Sequence, residues 1–290
     1  MTTVRMRRYA GPGDLRAMQT LAQRVWSPSS LWHIGDLAWQ RSHPAGHEPN
    51  WPTALWEAGG EVLAWGWAEP PGELFFQVDP SHPDLTTAVL DWFTDVATTS
   101  RTTVTVLDSE CHLTTALESY GYVRQYISHH CSYMTRPLDD LPEPELPSGF
   151  RARPVRGEVD LPSRVAVHRA AWAPSLLTED RYRNVMSTWP YRPDLDWVIE
   201  APDGTFAANC LLWFDDRNAV GELEPVGTAP DFRRRGLARA VCLAALHRLR
   251  DLGAQSAIVY PVADRPGPVA LYGDLGFRPY ARTVTFAKNS

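Results

Sequence analysis

The sequence predicts an α/β chain folded as two copies of one domain plan, and three observations carry that reading. Its 290 residues suffice for two domains of ordinary size. Residues 137–149 mix prolines with acids, a composition that neither a helix nor a central strand tolerates, and so mark a linker. The flanks of that linker echo each other. Ser119-Tyr120-Gly121-Tyr122-Val123-Arg124 before it resembles Asp274-Leu275-Gly276-Phe277-Arg278 near the C-terminus. Phe150-Arg151-Ala152-Arg153-Pro154 after it resembles Val4-Arg5-Met6-Arg7-Arg8, a first strand leading into a helix. The expected units are residues 1–136 and 150–290.

Periodicity then assigns the elements. In the first half, strands are expected at 53–57, 62–68, 73–78 and 102–107, with helices over 85–97 and 113–119. In the second half, 164–171 and 179–189 read as helices, and 197–200, 207–214, 220–226 and 256–260 as strands. Leu237, Val241, Ala245, Leu249 and Leu252 recur at helical spacing and give one more helix a buried stripe.

Composition narrows the function classes. The chain is 44% hydrophobic and 21% charged, which is globular composition, and its net charge of −6 points away from a nucleic-acid partner. No apolar run approaches the roughly 18–20 residues that span a bilayer, and the basic N-terminus lacks the apolar core of a signal peptide. No membrane partner is expected. Cys111, Cys131, Cys210 and Cys242 are widely spaced, which fits buried free thiols in a cytoplasmic protein. His43 and His47 have a metal pair's spacing, but Pro44, Gly46 and Pro49 deny them a helix, so no metal is expected.

The most specific stretch runs from Glu222 to Ala238: a strand, a turn carrying Arg233, Arg234 and Arg235, then Gly236 at a helix start. Unpaired N–H groups and the helix dipole favour an anion there. A residue without Cβ lets that anion approach the main chain, and arginines add charge-assisted contacts. The arrangement suits a pyrophosphate.

These residues resemble the cofactor motif of the GNAT superfamily of acyl-CoA-dependent N-acyltransferases, in which Arg or Gln is followed after two residues by Gly and then, one further on, by Gly or Ala. Arg233, Gly236 and Ala238 fill it, with Pro230 three before the arginine. Residues 270–277, Ala-Leu-Tyr-Gly-Asp-Leu-Gly-Phe, look like the family's closing helix, tyrosine and Gly-Phe turn. The resemblance implies two tandem GNAT-like domains, each a mixed, largely antiparallel (α+β) central sheet flanked by helices. It also implies that strands 220–228 and 256–262 splay to admit pantetheine, with Val226, Gly227 and Thr228 offering main-chain contacts. Leu237, Ala238 and Arg239 continue the cradle. Acetyl-CoA is the implied co-substrate, and a small-molecule amine the implied acceptor.

Transfer requires a neutral amine, hence a base. Glu224 stands where many family members carry a glutamate, and Glu222 shares its strand face. Tyr272 matches the tyrosine that usually protonates the departing thiolate. Arg265 stands where an asparagine is common, a departure from the pattern. Trp172, Trp189 and Tyr191 fall in or beside the helices that cover the acceptor in this fold.

The first half departs at its own helix start. Aligning Pro80 with Pro230 sets Pro83, Thr86 and Ala88 against Arg233, Gly236 and Ala238, so that copy lacks the cradle and is expected to bind no acetyl-CoA. The leading expectation is an N-acetyltransferase acting by direct transfer in a ternary complex. The tandem plan also resembles that of the mycothiol synthases, which makes a cysteinyl conjugate one alternative. A protein-amine acetyltransferase and a non-catalytic CoA sensor are the others. Tandem domains that pack on each other fit a monomer, and the oligomeric state is left open.

Overall fold

A computed structural model describes residues 3–43, 50–126 and 129–289. The first half contains β1 (Arg5–Arg8), α1 (Pro12–Val25), α2 (Ile34–Ser42), β2 (Thr53–Ala58), β3 (Glu61–Glu69) and β4 (Glu73–Val78). It continues with α3 (Leu85–Val96), β5 (Arg101–Leu107), α4 (Cys111–Ser119), β6 (Val123–Gln125) and β7 (Ser132–Pro137). The second half repeats the plan with β8 (Arg151–Pro154), α5 (Leu161–Ala171), α6 (Glu179–Ser187), β9 (Asp196–Glu200) and β10 (Phe206–Asp215). Then come β11 (Val220–Thr228), α7 (Leu237–Asp251), β12 (Ser256–Val259), α8 (Pro266–Asp274) and β13 (Arg278–Asn289).

All the strands join one sheet in the order β1-β2-β3-β4-β5-β13-β7-β12-β11-β10-β9-β8, with β6 paired to β13. Among the described residues, only β4–β5 and β11–β12 pair in parallel; the other pairs are antiparallel. Each sheet half is therefore mixed and largely antiparallel, with helices on its faces.

The halves exchange their final strands. Residues 134–137 of β7 pair with β12, while residues 283–289 of β13 cross over to pair with β5. Residues 278–282 of β13 pair with β7. Each half thus completes the other's sheet, which the pattern of repeats does not disclose. Phe286 and Val284, from the last strand, lie in the first half's core, and Met134 lies in the second half's. Residues 138–149 form no helix or strand, but Leu138 and Leu141 are buried against the second core.

Two expectations need correction, and one helix was not expected. Helix α6 ends at Ser187, so Trp189 lies beyond it and packs with the first half's α1 core instead. The thiols are free, but Cys111 is exposed and Cys131 only partly buried, leaving Cys210 and Cys242 as the buried pair. Helix α2, absent from the sequence reading, forms behind a capping box in which His33 accepts from Gly35 N–H and Asp36 accepts from His33 N–H. His43, at the end of that helix, stacks on Trp39 at 4.7 Å; His47 lies outside the described residues.

Candidate active site

The two parallel strand pairs open as they run. β11 pairs β12 only over Val220–Glu222, and β4 pairs β5 only at Glu73 and Leu74. Beyond Glu222, the β12-facing edge of β11 is unpaired, so its backbone groups need other partners. A bulge accompanies the opening: β10 aligns Cys210 with Val226 but Leu212 with Leu223, so Glu224 and Pro225 share one partner position.

Beyond β11, the chain turns into α7 through Arg233–Gly236. Arg234 has φ 61° and Gly236 has φ 76°. A non-glycine residue held left-handed costs about 1–3 kcal/mol and marks a turn that the surroundings impose. Left-handed residues at a helix start give the geometry of an anion nest. A Cβ on Gly236 would meet nothing within 4 Å, so the backbone angle, and not crowding, demands glycine. Arg233, Arg234 and Arg235 are all exposed around this turn. Arg233 is anchored through Nε to Thr228 O at 3.3 Å and through Nη2 to Ala171 O at 3.4 Å, and Arg235 lies over the Phe232 ring. Leu237 is buried, whereas Ala238 and Arg239 are partly exposed on the helix's first turn. This surface fits a pyrophosphate.

Gly227 serves a different need from Gly236. A Cβ there would lie 2.6 Å from Ala171 Cβ and 3.0 Å from Trp172 Nε1, so glycine lets the end of α5 press onto β11. Val226 and Thr228 flank it on the unpaired edge, and Thr228 Oγ1 is buried without a partner.

At the opening itself, Glu222 and Glu224 meet a third carboxyl that sequence reasoning missed. Asp36, from α2 in the first half, places an oxygen within 4.8 Å of both glutamates. Gly35 permits this approach: its missing Cβ would sit 2.4 Å from Trp213 Cβ and 2.5 Å from Glu222 Oε2. Glu222 and Asp36 are buried, and Glu224 is partly exposed.

Proton counting constrains the cluster. The Tyr260 hydroxyl contacts both Asp36 Oδ1 and Glu224 Oε2. A phenol carries one proton, so the second contact requires a proton on one of the carboxyls. Burial first, then the neighbouring carboxylates, drives Asp36 and Glu224 well above the usual carboxylate range. His33 Nδ1 lies 2.7 Å from Glu222 Oε2, and one proton serves that contact too. Burial pushes Glu222 up to about 7 and lowers His33. Glu222 Oε1 and His33 Nε2 are left buried without partners. Tyr133 stacks on Tyr260 with ring centroids 4.9 Å apart and walls the cluster.

Tyr272 is buried in the second core, edge-on to Phe277, and burial first, then the neighbouring Cys242, Cys210 and Glu224, pushes its hydroxyl well above the usual phenol range. The aromatic candidates divide. Trp172 is 46% exposed and covers Gly227. Trp189 lies under Arg16, 3.2 Å from its ring centroid, and its carbonyl accepts from Gln19. Tyr191 donates to buried Asp196 at 3.2 Å and packs behind Trp213. Trp189 and Tyr191 are therefore committed to packing, and Trp172 alone of the three borders the strand opening. Among the described residues, no helix is long and apolar enough to cross a membrane.

Residues 165–277 match the model of the acetyltransferase (GNAT) family. That region is a GNAT domain, and the chain has a tandem-GNAT architecture resembling that of the mycothiol synthases. Among solved structures, the chain is similar to a GCN5-related N-acetyltransferase from Sphaerobacter thermophilus. That match has TM-score 0.63 and 21% identity over 99% of this chain and 95% of that one. A tandem GNAT protein from the clavulanic acid biosynthesis pathway matches with TM-score 0.63 and 14% identity, covering 99% and 98% of the two chains. Curated relatives include a mycothiol acetyltransferase from Saccharopolyspora erythraea, 34% identical over 59% of this chain and 57% of that protein. Another, from Rhodococcus jostii, is 31% identical over 53% and 55%. The chain thus spans about half the length of the curated relatives it matches.

Proposed function

We propose that the protein is an acetyl-CoA-dependent N-acetyltransferase that acetylates the primary amine of a small molecule by direct transfer in a ternary complex. The observation that carries this reading is the buried Asp36–Glu222–Glu224 cluster at the mouth of splayed strands, beside an arginine-flanked nest. Arg233, Arg234, Arg235 and the first turn of α7 hold the pyrophosphate. The unpaired edge at Val226–Thr228 receives the pantetheine amides. That co-substrate supplies an activated acetyl thioester.

The chain's own residues do the rest. Three carboxyls with no lysine or arginine among their hydrogen-bond partners attract an ammonium and orient it. Glu224, the partly exposed member, takes the ammonium proton, and Tyr260 and Asp36 share it within their network. The freed nitrogen forms a C–N bond to the acetyl carbon as the C–S bond breaks; Tyr272 donates its proton to the departing sulfur, and the second proton that the nitrogen sheds restores the tyrosine. Hydrogen-bonded His33 and Glu222 close the far side of the site. Because Asp36 comes from the first half, that half takes part in the chemistry without a cofactor of its own. We place the enzyme in the cytoplasm and give it no metal.

A thiol-release assay over a panel of small amines tests the reading. Acetyl-CoA turnover should depend on a defined amine and be lost in Glu224→Gln. Release that no amine stimulates would instead indicate a CoA-binding sensor. The curated relatives, named mycothiol acetyltransferases, support a second version in which the acceptor is a cysteinyl conjugate, and that amine belongs in the panel.

A further inference from the structure

The strand opening in the first half is not filled. A cleft of about 170 Å³ lies between the end of β4 and the residues after β5, lined by Ser29, Ser30, Gln77, Ser109, Glu110 and His112 among others. It has room for several waters. Gln77 is 4% exposed and its Oε1 has no partner; Ser109 Oγ is likewise buried and unpaired. Buried polar atoms without partners are rare and costly, so these two call for a ligand that donates hydrogen bonds.

Glu110 sets the charge. It is buried, and its two oxygens accept from Leu31 N–H at 3.2 Å and Leu107 N–H at 3.0 Å. Each oxygen keeps a second lone pair. Burial pushes this carboxyl up to about 7, and no lysine or arginine lines the cleft to offset its charge. Phosphates and carboxylates are disfavoured there; a cation with hydroxyl groups matches every feature.

We propose that the first half binds a small hydroxylated primary amine in this cleft, with its ammonium on Glu110 and its hydroxyls on Gln77 and Ser109. The site is separate from the Asp36–Glu222–Glu224 cluster and does not depend on the reaction proposed for that cluster.

The test is calorimetric titration of the full chain with 2-amino-1,3-propanediol, using glycerol as a control that replaces the ammonium with a hydroxyl on the same skeleton. Saturable binding is expected, at least about tenfold tighter for the amine, consistent with a charge-assisted hydrogen bond. Gln77→Leu, close in shape, should weaken it about tenfold. Ser109→Ala, which removes one hydroxyl and no packing, should weaken it less, and serves if Gln77→Leu misfolds. Glu224→Gln should leave this affinity unchanged. The proposal is overturned by equal affinity for glycerol, or by no saturation at roughly 20 mM amine, beyond the weak millimolar range. It is also overturned by binding that Glu224→Gln removes while Gln77→Leu and Ser109→Ala do not.

Discussion

The two halves place a helix start at the same point of the same plan, and the two starts are chemically opposite. In the second half, α7 begins at left-handed Gly236, after exposed Arg233, Arg234 and Arg235. In the first half, α3 begins after Asp84, whose φ is −59°, and the aligned position is Thr86, 1% exposed and part of the packed interior. One start presents cationic side chains around a left-handed turn. The other presents an acid and a buried threonine. The difference continues along the chain. Counting back from the aligned prolines sets Leu74 against Glu224, and the aligned Gly121 and Gly276 set Leu117 against Tyr272. The residues proposed as cradle, base and acid all lack counterparts in the first copy. A shared fold therefore says little about a shared site; the function lives in the few residues grafted onto the plan.

The sharpest way to break this comparison is at Gly236. Gly236→Asp puts a carboxylate at the proposed pyrophosphate site and forces a strained backbone angle, so acetyl-CoA binding should vanish in a calorimetric titration. Gly236→Ala carries only the backbone cost, about 1–3 kcal/mol, and should bind measurably. Undiminished affinity in the aspartate variant would remove the cradle from this turn.

Tyr272→Phe should come next in size. As a group used mainly in the transition state, it should lower turnover by about 10²–10⁴-fold while leaving the acetyl-CoA dissociation constant nearly unchanged. Full activity would make Tyr272 a packing residue, like Leu117 in the other copy. Arg233→Ala should weaken acetyl-CoA by about 1.5–3 kcal/mol, the range for hydrogen bonds to charged groups. Its two existing bonds to carbonyls are long, at 3.3 and 3.4 Å, so little folding stability should go with it. Unchanged binding in this variant would leave the main-chain nest as the whole of the site.

Much of the fold was legible in the sequence, because hydrophobic period and turn residues report local structure. The strands around residues 53–78 and the helix after Gly236 fall within a few residues of where they form. What escaped was long-range. The strand exchange escaped because β7 and β13 have the same alternation whichever sheet they join. Asp36 escaped because it lies 186 and 188 positions before the glutamates it meets, and only the Gly35 contact shows why α2 docks on β11. The box of His33 and Asp36 was a readable helix start, yet nothing local says that such a cap faces a second domain. Trp189 and Tyr191 illustrate the converse: aromatic residues near a predicted pocket turned out to be held by Arg16, Gln19 and Asp196.

The composite cluster gives a smaller, more diagnostic effect. Burial and the charge of Asp36 both raise Glu224, so the base form becomes available only as pH rises through that elevated value. Asp36→Asn removes one carboxyl group beside Glu224, and should move the ascending limb of the pH–rate profile to lower pH. A limb that stays put would show that the first half does not tune the base.

The smallest effect tests the silent copy itself. Thr86 Oγ1 is buried without a partner, which is the cost of a polar group in a core position. Thr86→Val keeps the shape and removes that hydroxyl, so the chain should gain about 1 kcal/mol in denaturant unfolding. If the first helix start is only packing, acetyl-CoA stoichiometry should remain at one per chain, because the arginine-rich start is untouched. The alternative has a distinct signature. Were Thr86 a hydroxyl held ready for a phosphate, the wild type would bind two acetyl-CoA molecules and the valine variant one. Calorimetry separates the outcomes, because stability and stoichiometry move independently in the first case and together in the second.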